Sequence, residues 1–111
     1  MKRIHCQEPW FSKIKQGLKT VEGRKFSAKY ASLHPGEIIE MHCDTGSFLV
    51  EVLKVITYKS VEEYLHSEGF DRVLPGIASF EHALEVYLQY NSRDELKTAG
   101  GFLALHLKLL D

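Results

Sequence analysis

Cysteine, proline and long apolar runs are scarce in this sequence. Two cysteines and three prolines among 111 residues are too few for a disulfide framework or a proline-rich linker. No apolar run approaches the ~20 residues that span a bilayer. The cationic residues 1–5 precede no apolar segment of the kind found in secretory signals. We therefore expect a cytoplasmic protein without a membrane partner, in which Cys6 and Cys43 are free thiols.

The net charge is only −1, which argues against a uniformly basic nucleic-acid binder. The charge is nevertheless uneven along the chain. Residues 1–29 carry eight Lys or Arg against two Glu, whereas residues 30–111 carry six cations against thirteen carboxylates. The basic first third could attract phosphate groups. Equally, its lysines could be solubilising surface charges.

Length and composition indicate one folded domain. Apolar residues make up 44% and charged residues 26% of the sequence, close to globular averages. At 111 residues the chain can bury a core without metal or disulfide support. No repeat, low-complexity segment or long linker divides it. We expect a single domain over residues 1–111.

The first half of the sequence favours short strands separated by turns. Residues 4–6 are predicted to form a first strand, and Pro9 and Gly17 mark the start and end of a helix. Residues 39–43 and 48–57 are predicted strands joined by a hairpin turn. This half therefore supplies most of the predicted sheet.

The second half is predicted to be helical until its end. Ser60, Ser79 and Ser92 begin three helices, and for Ser60 and Ser92 a glutamate three residues later completes a capping box. Residues 103–109 carry alternating leucines, typical of a core strand. Because the terminal strands must pair across the inserted helices, we expect an α+β fold, a small β-barrel flanked by helices.

The densest group of reactive side chains lies between Gly17 and Arg24. In a regular strand Thr20, Glu22 and Arg24 would share one face and Lys19 would lie on the other. Because Gly17 ends the first helix, Lys19 sits at a junction and need not follow that alternation. We therefore predict that Lys19, Glu22 and Arg24 converge on the floor of one cleft.

These residue types suit a planar, hydrogen-bonding ligand. Lys19 and Arg24 could hold a phosphate or carbonyl oxygen. Glu22 could accept from a base's exocyclic amine or act as a general base on water. Trp10 or Tyr58 could stack on the base. Alternatively, Glu22 forms an ordinary surface ion pair with Arg24 or Lys19.

Two His-Cys pairs, His5-Cys6 and His42-Cys43, carry metal-ligand types. Neighbouring residues of a strand face opposite sides, so each pair offers one ligand to a common site, and zinc needs four. We predict no metal and no cofactor. His5 could instead reach the cleft as a hydrogen-bond donor or proton shuttle. The other histidines are assigned to the surface or to helix caps: His34, His66, His82 and His106.

Two further features allow a structural or a functional interpretation. Leu74-Pro75-Gly76 is a turn that could also form a rim of the cleft. Tyr87 and Tyr90, near the end of an apolar helix, are predicted core residues with hydrated hydroxyls.

The spacing Gly17-x-Lys19-x-x-Glu22-x-Arg24 resembles the signature of ASCH domains, which are similar to the PUA RNA-binding fold and are built as a small β-barrel flanked by helices. The resemblance covers nearly the whole chain. Further segments that look like those of small, single-domain, prokaryotic-type ASCH proteins are residues 35–39, 58–63, 68–70, 73–76, 81–87 and 101–105.

This resemblance implies binding of RNA or a modified nucleoside and a role in RNA metabolism. One bacterial branch of the family hydrolyses acetylcytidine with a lysine, a threonine and a glutamate. Lys19 matches that lysine, but Glu22 stands where the threonine nucleophile is expected, and Thr20 lies at another spacing. A hydrolase or ribonuclease that uses Lys19 and Glu22, with Thr20 assisting, is one alternative. A protein-interaction module that uses the acidic helical half is another.

Overall fold

Residues 1–110, which the computed structural model describes, form a curled five-stranded sheet with six helices. The strands are β1 (Arg3–His5), β2 (Val21–Lys25), β3 (Ile38–Cys43), β4 (Gly46–Tyr58) and β5 (Phe102–Leu109). The helices are α1 (Trp10–Lys15), α2 (Ala28–Ala31), α3 (Val61–Glu68), α4 (Phe70–Val73), α5 (Phe80–Tyr90) and α6 (Arg93–Ala99). The predicted α+β fold is confirmed.

The sheet has the order β1-β3-β4-β5-β2, with β1 parallel to β3 and every other pair antiparallel. The expectation that the terminal strands pair is wrong, since β5 lies between β4 and β2 while β1 pairs with β3. β1 and β2 are therefore the two sheet edges. Within residues 1–110 no backbone ladder joins β1 to β2. The two strands nevertheless lie close together, since Arg24 Nη2 donates to the His5 carbonyl at 2.6 Å. We call this gap between β1 and β2 the seam.

Each face of the sheet carries its own hydrophobic core. α1 covers one face, where Phe11 and Ile14 pack on apolar side chains of β1, β3, β4 and β5. The helices α3 to α6 cover the other face. As a central strand, β5 is buried on both sides, so Ala104 is as buried as Leu105. Leu109, which the alternation predicts to be a core residue, is 36% exposed at the end of β5.

The predicted helix caps are present. The hydroxyls of Ser60, Ser79 and Ser92 each accept an N–H from the first turn of α3, α5 and α6. The reciprocal half of the capping box forms only at Ser92, whereas Glu63 accepts from the Lys59 N–H. The single-turn helices α2 and α4 are too short for periodicity to reveal.

The sequence predicted His106 to lie on the surface or at a helix cap. In the structure it is buried. Its Nε2 lies 3.0 Å from Oε2 of Glu68, and both side chains are buried where α3 packs on β5. The Tyr58 hydroxyl donates to the same carboxylate oxygen at 2.7 Å. A buried Tyr58-Glu68-His106 cluster thus joins β4, α3 and β5.

This cluster makes the stability of the fold depend on pH in the acid range. Burial disfavours the ionised Glu68 carboxylate, but the hydrogen bonds from Tyr58 and His106 hold its pKa below the ordinary 4.5. A depressed folded-state pKa stabilises the fold above about pH 4.5, and that contribution is lost as pH falls through the folded value. We expect the free energy of unfolding in urea to fall less steeply between pH 5 and 3 in Glu68→Gln than in the parent protein. The exposed control Glu85→Gln should keep the parent slope; equal slopes in all three proteins would contradict the prediction.

Candidate ligand-binding cavity at the sheet seam

A cavity of about 190 Å³ opens beside the seam. β1 and the start of α1 form one side, β2 the base, and the end of α5 the opposite side. The residues that line it are His5, Cys6, Gln7, Trp10, Glu22, Gly23, Arg24, Lys25, Leu74, Val86, Tyr87, Tyr90, Asn91 and Phe102. Four of the predicted site residues thus meet in one place: His5, Trp10, Glu22 and Arg24.

Glu22 is the centre of the polar wall. Its Oε2 accepts from Arg24 Nε at 3.2 Å, from Arg24 Nη2 at 2.7 Å and from the Cys6 thiol at 3.4 Å. Its Oε1 lies 3.5 Å from Lys19 Nζ. One carboxylate therefore holds two cations and a thiol around itself, which fixes its own orientation.

Lys19 does not line the cavity, although the sequence placed it on the floor. It is 1% exposed and lies behind Glu22. Its ammonium donates to the carbonyls of Val21 and Val73 and lies 5.9 Å from the centre of the Trp10 ring. The ion pair with Glu22 at 3.5 Å is its third polar contact. The ammonium therefore positions Glu22 and closes the back of the site.

The protonation states follow from burial and charge. Burial disfavours a charged Glu22, but Arg24 and Lys19 outweigh it and hold the pKa of Glu22 below its ordinary value. Burial, with the Glu22 charge beside it, raises the pKa of the Cys6 thiol to about 12. Burial also lowers the pKa of Lys19, against the pull of Glu22. At neutral pH the cavity thus contains a carboxylate and an un-ionised, hydrogen-bonding thiol.

Arg24 retains a free donor toward a ligand. Nε and Nη2 are used by Glu22 and by the His5 carbonyl, and the guanidinium lies 5.7 Å from the Tyr30 ring centre. No hydrogen bond from Nη1 forms within residues 1–110. Nη1 can therefore donate to a ligand oxygen without breaking a protein contact.

Thr20 and Tyr58 lie outside the cavity. Thr20 is exposed, and its backbone carbonyl pairs with Leu107 of β5. Tyr58 is buried against Glu68 on the face covered by α3. Neither the assisting role of Thr20 nor the stacking role of Tyr58 fits this placement.

The end of α5 contributes side chains that sequence reasoning assigned to the core. Tyr87 is buried, and its hydroxyl lies 2.8 Å from that of Tyr64. Tyr90, one turn later, is 50% exposed at the cavity rim. Their i, i+3 spacing places them on one helix face, but nothing in the sequence indicates that this face meets β2. Of the Leu74-Pro75-Gly76 turn, only Leu74 lines the cavity.

Most cations of the basic first third have a partner within the protein, some of them in exposed surface contacts. Lys2 and Arg3 pair with Glu37 and Glu40, while Lys13 and Lys29 donate to backbone carbonyls. With Lys19 and Arg24 held by Glu22, the cations without a protein partner within residues 1–110 are Lys15 and Lys25. Lys15 and Lys25 are therefore the cations of this segment that meet a ligand without giving up a protein contact.

Two kinds of feature are absent from the part of the chain that the structure describes. Within residues 1–110, no helix has the length and apolar character required to cross a membrane. Over the same residues, no three His, Cys, Asp or Glu side chains are grouped as ligands for a metal ion.

Comparison with known protein families identifies the family of this chain. The model of the ASCH domain matches residues 4–110. The chain belongs to the ASCH domain family. This confirms the resemblance inferred from the Gly17 to Arg24 spacing, and the curled sheet with its helices is the PUA-like architecture expected of it.

Two solved structures resemble this ASCH domain along its whole length. The crystal structure of hypothetical protein PH0355 is 33% identical, with a TM-score of 0.89, and covers 99% of this chain and 100% of its own. The solution NMR structure of protein PF0455 from Pyrococcus furiosus is 30% identical, with a TM-score of 0.80, and covers 99% of this chain and 97% of its own. No curated protein gives a significant match.

Proposed function

We propose that this ASCH domain binds RNA or a modified nucleoside by taking one base into the seam cavity. The observation that carries the proposal is the combination, in one cavity, of a fixed Glu22-Arg24 polar wall with the aromatic side chains of Trp10 and Tyr90. Binding sites of this kind are mostly apolar, with a few placed polar groups that orient the ligand. The family's association with RNA metabolism agrees with this assignment.

Cavity size favours a single base over a stretch of strand. About 190 Å³ is below the ~300–1,000 Å³ typical of pockets for drug-sized ligands. In the proposed complex Arg24 Nη1 donates to a carbonyl oxygen of the base, and Glu22 keeps the guanidinium in place. Aromatic stacking in single-strand binders is worth ~1–3 kcal/mol per base.

Tyr90 offers a direct test of this site. Because its side chain is half exposed at the rim, Tyr90→Ala should leave the fold intact and weaken nucleoside binding about tenfold or more. Trp10 is the one tryptophan of the chain and lines the cavity, so its fluorescence can report binding of cytidine, uridine and acetylcytidine. Leu53→Ala removes a similarly exposed apolar side chain outside the lining and should bind as the parent does. Parent-like affinity in Tyr90→Ala would contradict a base seated beneath Tyr90.

Recognition of a single base in the seam cavity predicts a weak salt dependence. With Lys25 as the unpartnered cation in the cavity lining, a short single-stranded RNA should lose only about threefold in affinity between 50 and 200 mM salt. A surface that used six phosphate contacts would lose more than about a hundredfold. Titration of Trp10 fluorescence at both salt concentrations separates these cases, and a steep slope would move the RNA interface away from the cavity.

Binding is favoured over hydrolysis because the cavity holds no activated nucleophile among the described residues, and because the lowered pKa of Glu22 makes its carboxylate a weak general base for water. Lys19 is buried outside the cavity lining, with its ammonium bonded to two backbone carbonyls and paired with Glu22, and Thr20 also lies outside the cavity. The Cys6 thiol has a pKa of about 12, far from the range of reactive thiolates. We expect acetylcytidine to bind without deacetylation. Turnover that disappears in Glu22→Gln would instead support the hydrolase alternative.

A further inference from the structure

The edge strand β2 carries unpaired backbone groups whose identity follows from its register. Thr20 O accepts from Leu107 N, and Phe26 N donates to Gly101 O, in the same antiparallel register that opposes Val21 to His106. In such a ladder, pairs that exchange hydrogen bonds alternate with pairs that do not. Even-numbered residues therefore point their backbone groups at β5. Val21, Gly23 and Lys25 point theirs away from it, into the seam.

Gly23 and Lys25 retain these groups without partners. Lys19 Nζ occupies the Val21 carbonyl. Within residues 1–110, no backbone or side-chain hydrogen bond reaches the N–H or C=O of Gly23 or Lys25 from across the seam. Among the strands of residues 1–110, β1, which faces them, pairs only with β3.

The cavity runs along this strand edge and not over one face of the sheet. Glu22 and Arg24 belong to the face covered by α1, whereas Gly23 and Lys25 belong to the face covered by α3 to α6. All four nevertheless line the cavity. A space bounded by side chains of both faces must lie at the edge between them, where the backbone is reached directly.

Packing around Gly23 requires glycine at this position, and the absence of a side chain leaves its backbone accessible. A Cβ there would lie 2.6 Å from the Phe102 ring and 2.7 Å from the Tyr64 hydroxyl. Aromatic packing on β2 thus excludes a side chain at this position. The same absence lets a ligand approach the N–H and C=O closely.

We propose that the Gly23 backbone N–H and C=O read the edge of the ligand, and that the site selects bases with a hydrogen-bond acceptor beside a donor. In an outward-facing residue of an edge strand, the N–H and C=O point the same way and present such a pair. The N3–H and O4 edge of uridine and the N4–H and N3 edge of cytidine both match it. This inference rests on the proposed function and adds the group that gives it selectivity.

An extended peptide that joins the sheet at β2 is the competing use of the same edge. The structure favours the smaller ligand. Arg24 already bridges the seam to His5, and Leu74, Tyr87 and Asn91 bound a cavity of about 190 Å³. A strand of several residues needs an open edge of greater length.

Backbone amide NMR of the ¹⁵N-labelled protein tests the assignment directly. Saturation with uridine or cytidine should shift the Gly23 amide proton downfield and slow its hydrogen exchange, with the amide of Gly46, the first residue of β4, as the unmoved control. 3-Methyluridine lacks the N3–H donor and should bind at least about tenfold more weakly than uridine, because it leaves the Gly23 carbonyl unpaired.

The outcomes separate the two levels of the proposal. Nucleoside binding with an unmoved Gly23 amide, or equal affinity for uridine and 3-methyluridine, overturns the backbone readout and leaves the proposed function standing. Failure of every nucleoside to bind overturns both. A blocked Val-Thr-Val peptide that moves the Gly23 and Lys25 amides together, where nucleosides do not, assigns the edge to strand addition.

Discussion

Glu22→Ala is expected to destabilise this ASCH domain by about 3–5 kcal/mol, the range seen when one partner of a buried ion pair is removed. Lys19 is 1% exposed and the Arg24 side chain 22% exposed, and Glu22 is the carboxylate that both contact. Its loss leaves two cations in a poorly hydrated environment. Because whole-domain stabilities are only ~5–15 kcal/mol, a loss of this size is easily measured by urea unfolding.

The matched control for Glu22 is another glutamate paired with an arginine. Arg3 and Glu40 form a salt bridge whose side chains are 60% and 26% exposed, and pairs of this kind contribute ~0–1 kcal/mol. Glu40→Ala should therefore cost no more than about 1 kcal/mol. Should Glu22→Ala fail to fold, the variant Lys19→Met combined with Glu22→Gln should regain much of the stability, since it removes one stranded charge. Equal costs for Glu22→Ala and Glu40→Ala would show that the cations around Glu22 are hydrated.

Gly101→Ala is expected to cost a similar amount, about 3–5 kcal/mol, for a steric reason. A Cβ at this position would lie 2.4 Å from the backbone oxygen of Tyr58, and Gly101 has φ +121°. Backbone cannot yield as a flexible side chain does, so the end of β4 and the start of β5 would have to separate. Unfolding in urea, monitored by circular dichroism, measures the loss.

Gly36→Ala separates conformational strain from the clash. Gly36 has φ +90°, but a Cβ there would meet no atom within 4 Å. Its substitution should cost only the ~1–2 kcal/mol of a left-handed backbone. If Gly101→Ala lowered the free energy of unfolding no more than Gly36→Ala does, the predicted clash with the Tyr58 backbone oxygen would be wrong.

Local patterns predicted the elements whose causes are local. Hydroxyl caps at Ser60, Ser79 and Ser92 depend on residues within one helical turn, and the structure contains all three. Spacing alone also identified Glu22 and Arg24 as neighbours. Their pairing needs only the two-residue repeat of a strand.

Other features depended on contacts between distant segments. Lys19 is buried because the Val73 carbonyl reaches it from α4, and the sequence carries no sign of that approach. His106 is covered because α3 brings Glu68 onto β5. The cavity itself needs α5 beside β2, so Tyr90 could be recognised as a rim residue only from the assembled fold.

The sheet order has a kinetic consequence for the site. β2 joins the sheet only through β5, and the pairing of Val21 with His106 spans most of the chain. Contacts between such distant segments carry a large loop-closure entropy and form slowly. β3 and β4, joined by a tight hairpin, can pair long before β2 is docked. We infer that the seam forms late in folding. Only a chain in which β2 has docked on β5 can therefore bind the ligand.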